Sequence, residues 1–227
     1  MKALFGALSL LLIALPVVAS DASAPTPIYL QAWVGALDTD SDSWKVSDPQ
    51  SGEQALGDLG TLPYGGGAGQ QLWGSGAWQV GYEGGGLVTW KNGRTEFRGH
   101  SNAVVVRIDN TFGAVGVFMG GVLSVRPFHP MRLYVAAGPS ITGAWLFGDD
   151  NNEQVSSPGT TVTLNLDDTK SDVSVVPYAR AGIEFELDNG FTFGVSARYA
   201  DDEFDFGDAG KLEFDQVTWM LTLGGRV

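Results

Sequence analysis

The sequence predicts an all-β protein, an eight-stranded antiparallel up-and-down transmembrane β-barrel. Three observations predict it. Residues 172–200 form two long amphipathic arms around Asp188-Asn189-Gly190. After residue 19 no stretch is apolar enough for a membrane-spanning helix, which needs about 20 apolar residues. Short connections alternate with longer acidic ones, except for a short third connection, and this is the asymmetry of a barrel with short periplasmic turns and longer external loops.

The hairpin carries the clearest pattern. In its first arm Val173, Val175, Pro177, Ala179, Ala181, Ile183, Phe185 and Leu187 share one face. Ser174, Val176, Tyr178, Arg180, Gly182, Glu184, Glu186 and Asp188 share the other. This is the period of two that strands impose. Asn189 and Gly190 tolerate positive φ and mark the turn. In the second arm Phe191, Phe193, Val195, Ala197 and Tyr199 oppose Thr192, Gly194, Ser196, Arg198 and Ala200. Arg and Glu beside Gly and Ser suit a crowded lumen better than open solvent, and the apolar face suits lipid.

Residues 1–19 read as a secretory signal peptide. Lys2 is its positive region, residues 3–18 are apolar, and the cut is expected between Ala19 and Ser20. The barrel domain is then 20–227. Cysteine is absent, which excludes thiol chemistry and fits a periplasmic or outer-membrane destination better than a small domain stapled by disulfides. The net charge of −13 excludes a nucleic-acid partner on electrostatic grounds. The 32 glycines show no fixed period, which excludes collagen and suits closely approaching strands.

Taken in order, the first strand is expected at 28–37, followed by a polar, Gly-rich loop over 38–71. Asp38-Thr39-Asp40-Ser41-Asp42 opens like a calcium loop, but Ser43 and Pro49 stand where that loop needs Gly and Glu. A second strand, 72–91, alternates Trp78, Val80, Tyr82, Val88 and Trp90 against Gln79, Glu83, Thr89 and Lys91. Asn92-Gly93 is a strong hairpin signal, and a third strand follows at 94–108. Asp109-Asn110-Thr111 reads as a turn before a fourth strand at 112–125. Pro127 and Pro130 place a turn at 126–130, since proline cannot donate to the ladder. The fifth strand is 131–147, an acidic loop covers 148–172, and the hairpin supplies strands six and seven. A further acidic loop at 201–210 precedes the eighth strand, 211–227.

All eight arginines, Arg94, Arg98, Arg107, Arg126, Arg132, Arg180, Arg198 and Arg226, fall on these strands or at their ends. A barrel of eight strands is only wide enough for its side chains to fill it. The sequence therefore predicts a lumen network of Glu83, Glu96, Arg98, Arg180, Glu184, Glu186 and Arg198. The competing expectation is a narrow ion path.

Candidate chemistry is sparse. His129 sits between prolines in a turn. His100-Ser101-Asn102 approaches the His-x-Ser-Asn pattern of PagL-type outer-membrane lipid A deacylases. Here His100 and Ser101 are adjacent, so on a regular strand they point to opposite faces. No catalytic residue, metal ligand or cofactor is assigned, since zinc spacing, a phosphate loop and a nucleophile elbow are all missing from the sequence.

The signal peptide, the segment PYARAGIEFELDNGFTFGVSARYA at 177–200 and the alternating C-terminal strand together resemble the small outer-membrane barrels of the OmpA-like, OmpX-like and opacity-protein type. The resemblance implies a monomer in the outer membrane of a Gram-negative cell. It implies contact with outer-membrane lipid and lipopolysaccharide, and insertion by the barrel-assembly machinery. Such barrels usually end in an aromatic residue read by that machinery, whereas this chain ends in Val227. The expected function is a structural or surface-interaction role for a plugged barrel with acidic external loops. The alternatives are a small porin-like channel, a lipid A-modifying enzyme, and a soluble periplasmic β-barrel or sandwich.

Overall fold

A computed structural model describes residues 28–37, 44–48, 52–57, 60–74, 77–98, 105–148, 153–157, 160–164, 169–207, 210–214 and 217–227. The strands are β1 (Ile28–Leu37), β2 (Trp44–Asp48), β3 (Gly52–Gly57), β4 (Leu62–Trp73) and β5 (Trp78–Arg98). They continue with β6 (Val105–Phe128), β7 (Met131–Gly148), β8 (Glu153–Ser157), β9 (Thr160–Leu164) and β10 (Lys170–Glu186). The last are β11 (Phe191–Ala200), β12 (Asp202–Asp205), β13 (Lys211–Phe214) and β14 (Val217–Arg226). Eight of them close a barrel in the order β1-β14-β11-β10-β7-β6-β5-β4. Neighbours in the barrel are antiparallel, and β1 joins β14 from Tyr29↔Arg226 to Ala36↔Trp219. The predicted fold class is therefore the observed one.

The first strand and the 172–200 hairpin lie where the sequence places them, but the stretch between 62 and 128 is cut differently. Residues 62–71, read as loop, belong to barrel strand β4, which also takes residues 72–73 from the start of the second predicted strand. Its inward positions Leu62, Tyr64, Ala68, Gln70 and Leu72 are all buried. Its outward positions include Gly65, Gly67 and Gly69, so the apolar half of the alternation has no side chains to reveal it. Asn92-Gly93 and Asp109-Asn110-Thr111 are not turns. They lie opposite each other inside one long hairpin, Asn92↔Thr111, Gly93↔Asn110 and Arg94↔Asp109. Both polar breaks lie on the loop-end side of the Trp90↔Gly113 pair, so they mark where the β5–β6 hairpin leaves the apolar belt, not where the chain reverses. The eighth predicted strand divides too. Its first part, β13, joins a separate sheet of order β12-β13-β2-β3, and only β14 belongs to the barrel.

The ends of β4 and β5 at Trp73 and Trp78, the turns at 129–130 and 187–190, and both described chain ends gather at one end of the barrel, here the turn end. In the last turn Gly190 takes φ +82° and donates to Leu187 O at 2.9 Å. A residue with a Cβ is strained in that conformation. The longer connections and the small sheets gather at the loop end.

Outward positions form an apolar belt, with Trp219 68% and Val175 67% exposed. Trp73, Trp78 and Phe128 rim it toward the turn end, and Trp90, Phe147 and Trp219 toward the loop end. Water-soluble proteins rarely expose contiguous apolar surface beyond a few hundred Å², whereas lipid favours such a belt with aromatic rims.

Inside, side chains stack in layers along each strand. Toward the turn end Tyr29, Leu72, Val122, Tyr134 and Ala136 form an apolar cluster. Two residues further along their strands come Gln31 and Gln70, and then Trp33 and Ala68 of a larger apolar cluster. That cluster runs on to Phe204, Leu212 and Phe214 of the loop-end sheet and to Phe206 just after β12. Phe214 meets Phe112 edge-on at 5.7 Å and Phe204 at 6.0 Å, within the range where aromatic edges attract.

Candidate functional site

The polar layer between the two apolar clusters is the most densely connected site in the described residues. Alternation along β5 turns Glu83 inward, and alternation along β10 does the same for Tyr178, Arg180 and Glu184. Arg180 is 2% exposed and Glu184 0%. Arg180 donates to Glu83, and also to Gln31 Oε1 at 2.7 Å. Glu83 accepts further from Gln70 at 2.8 Å and Tyr178 at 2.9 Å. Arg132 of β7 donates to Glu184 through Nε at 3.0 Å and Nη2 at 2.7 Å, and to Gln70 Oε1 at 2.9 Å. Gln31 completes the ring by donating to Glu184. Five strands, β1, β4, β5, β7 and β10, are thus tied across the lumen.

Aromatic faces carry the guanidinium groups. Arg132 lies 4.2 Å from the ring centre of Tyr29 and Arg180 4.8 Å from that of Trp33. Tyr134 stacks against both, at 5.1 Å. Such contacts offset part of the desolvation that a buried cation costs. Nearer the turn end Arg126 donates to Glu186 at 2.7 Å and to the Tyr29 hydroxyl. Arg226 approaches the same carboxylate at 3.8 Å.

The arrangement holds charge in place rather than offering it for reaction. Both carboxylates of the polar layer accept from an arginine, and the Tyr178 hydroxyl donates to one of them, Glu83. Among the described residues no group of three His, Asp or Glu is placed to hold a metal. His129 is exposed in its turn.

No family model and no curated protein matches the chain. Solved structures do. OprG from Pseudomonas aeruginosa superposes with a TM-score of 0.58 at 11% identity, over 89% of this chain and 96% of that one. Ail, the attachment invasion locus protein of Yersinia pestis, gives 0.47 at 16% identity, over 89% and 99%. Neisserial surface protein A gives 0.43 at 12%, over 91% and 99%. The OprG match covers nearly the whole of both chains and agrees with the closed eight-stranded topology. The fold is that of the small outer-membrane β-barrels.

Within this barrel the residues singled out in the sequence separate into groups. Glu83, Arg180 and Glu184 meet in the polar layer, and Glu186 lies in the turn-end cluster with Arg126. Arg198 is buried higher up, donating to Ser140 Oγ at 2.9 Å, with its guanidinium 5.6 Å from the ring centre of Tyr178. It borders a cavity of about 30 Å³ shared with Tyr64, Thr142, Thr218 and Asp202, room for one bridging water. Asp202 opens β12 beyond the barrel strands. Burial pushes its carboxyl up from the usual value of 3.8, against the pull of Arg198. Glu96 and Arg98 lie on the backbone of β5, but their side chains fall outside the described residues, and so do His100 and Ser101.

Four partners in the polar layer were not foreseen. Gln31 and Gln70 sit on strands whose alternation is masked, the first by apolar residues on both faces and the second by glycine. Arg132 stands at the start of its strand. Tyr178 reads as a generic inward aromatic. The available signal was parity, because Gln31 shares it with Tyr29 and Trp33, and Gln70 with Leu72 and Ala68.

Proposed function

We propose that the protein is an outer-membrane barrel with a structural or surface-interaction role and a lumen closed to ions. The single observation that carries the reading is the buried polar layer. Arg132, Arg180, Glu83, Glu184, Gln31 and Gln70 bond one another across five strands, and apolar clusters fill the space on both sides of them. An ion would have to displace paired charges in a low-dielectric interior, where breaking one pair costs about 3–5 kcal/mol. What the barrel presents outward is then its loop end, where Glu203, Asp205 and Glu213 surround Lys45 and Lys211.

The same reading places the protein in the outer membrane after export and removal of residues 1–19. Insertion is by the barrel-assembly machinery, as a monomer among outer-membrane lipid and lipopolysaccharide. Planar-bilayer recording of the purified barrel tests the closed lumen. The expected trace is silent, and Arg132→Ala combined with Glu184→Ala introduces current steps by removing two members of the layer. Steady unitary steps from the wild-type barrel would replace this reading with the channel. Altered lipid A in cells expressing the wild type, restored by His100→Ala, would replace it with the enzyme.

A further inference from the structure

On the lipid side of β4 and β5 the barrel wall lacks side chains. Gly67 pairs with Gly86, and Gly69 with Gly84. These four outward positions form the floor of a groove of about 590 Å³, within the roughly 300–1,000 Å³ of small-molecule sites. Leu30 of β1 stands on one side, and Val117 and Met119 of β6 with Ile141 of β7 on the other. All four walls are exposed aliphatic or thioether side chains.

Glycines that face inward are explained by the barrel's own packing. A Cβ on Gly66 would meet the Trp33 ring at 2.7 Å, and one on Gly85 would meet the Phe118 ring at 2.7 Å. No such occupant exists outside. A Cβ on Gly67 would find only the Gln31 carbonyl at 3.0 Å, and one on Gly65 only the Trp33 carbonyl at 3.6 Å. Among the described residues no side chain lies within 4 Å of a Cβ added at Gly67.

A second observation gives the groove a direction. The next outward pair toward the turn end is Gln71↔Tyr82, and Tyr82 donates to the Gln71 side-chain carbonyl. With its oxygen engaged, Gln71 has its amide nitrogen left to offer as a donor. Trp73 and Trp78 lie just beyond, both exposed, at the level where interfacial aromatics sit. A polar donor at headgroup depth therefore leads into a smooth apolar channel that runs toward mid-membrane.

We propose that this groove binds one phospholipid from the leaflet at the turn end, with an acyl chain lying on Gly67, Gly69, Gly84 and Gly86 and its ester region at the Gln71–Tyr82 pair. The proposal rests on the membrane reading above. The bare backbone is already satisfied by the β-ladder, so it asks for no polar partner. Hydrocarbon is the chemistry available at that depth, and dispersion contacts with a close-fitting chain favour retention.

The test uses the full barrel in vesicles of phosphatidylethanolamine carrying a mid-chain diazirine, with adducts mapped by peptide mass spectrometry after photolysis. Labels are expected to be several-fold enriched on Leu30, Val117, Met119 and Ile141 over Val175 and Val195 across the barrel. Val117→Trp extends a wall over the floor without touching a glycine, and it should bring the enrichment down to the level of the far side. Even labelling of both walls of wild type overturns the groove and leaves the membrane reading standing. Weaker labelling of the groove than of the far side also overturns it, because another protein surface then covers that wall. Labels absent from the whole belt overturn the membrane reading and the groove together.

Discussion

Arg180 and Arg198 stand directly opposite each other on β10 and β11, a placement that repels when left alone. The barrel resolves it by pairing each with a different strand, Arg180 with Glu83 of β5 and Arg198 with Ser140 of β7. Truncating one member of such a layer leaves its partner charged, buried and short of a donor. Arg180→Met is therefore expected to destabilise the barrel by about 3–5 kcal/mol. Adding Glu83→Gln should recover much of that loss, since the second change removes the stranded charge. Urea midpoints of vesicle-embedded protein measure both. A single variant as stable as wild type would mean that the contact carries no weight. The inward parity of both arginines is legible from the alternation on either side of Asp188-Asn189-Gly190. Their partners are not, because Glu83 lies 97 residues from Arg180 in the chain.

At the level of elements, the β10–β11 hairpin and its contact with β7 show what glycine contributes. Gly182 faces inward, where an added Cβ would come within 2.5 Å of the Tyr134 ring. That ring stacks on both Arg132 and Arg180, so it has little room to give. Gly182→Ala is expected to cost about 1–3 kcal/mol, the usual range for overpacking. Gly143→Ala on the lipid face of β7, where the nearest atom would be 3.9 Å away, should be close to neutral. Comparing the two urea midpoints checks the assignment of faces, and equal losses would contradict it. The hairpin's identity is visible in sequence because each arm alternates without interruption. Strand β4 is hidden because its outward half is glycine. The β5–β6 hairpin is misread at Asn92-Gly93 because polar residues beyond a membrane belt look like a turn. Turn chemistry is local, whereas only pairing with a neighbour shows that the ladder continues.

For the whole molecule, closure is the decisive property. An open sheet with this belt would leave unpaired backbone groups in lipid, each costing several kcal/mol. The β1–β14 seam removes that edge, with Ile28 and Val227 exchanging backbone hydrogen bonds at 3.3 and 2.9 Å. A closed, interior-crosslinked barrel should resist detergent until heated. Unheated samples are expected to migrate faster than boiled ones on detergent gels, and identical migration would argue against a closed barrel. Four features follow from the sequence alone: the strand class, the antiparallel up-and-down order, the apolar exterior and the inward parity of the central charges. The order rests on short connections between successive strands, and the other three on a period of two that the arms of the 172–200 hairpin show by themselves. Tertiary structure alone decided where the chain turns between 62 and 128, which carboxylate meets which arginine, and that an outward glycine floor becomes a groove. All three depend on register between strands far apart in sequence, and register is a property of the closed ladder rather than of any one segment.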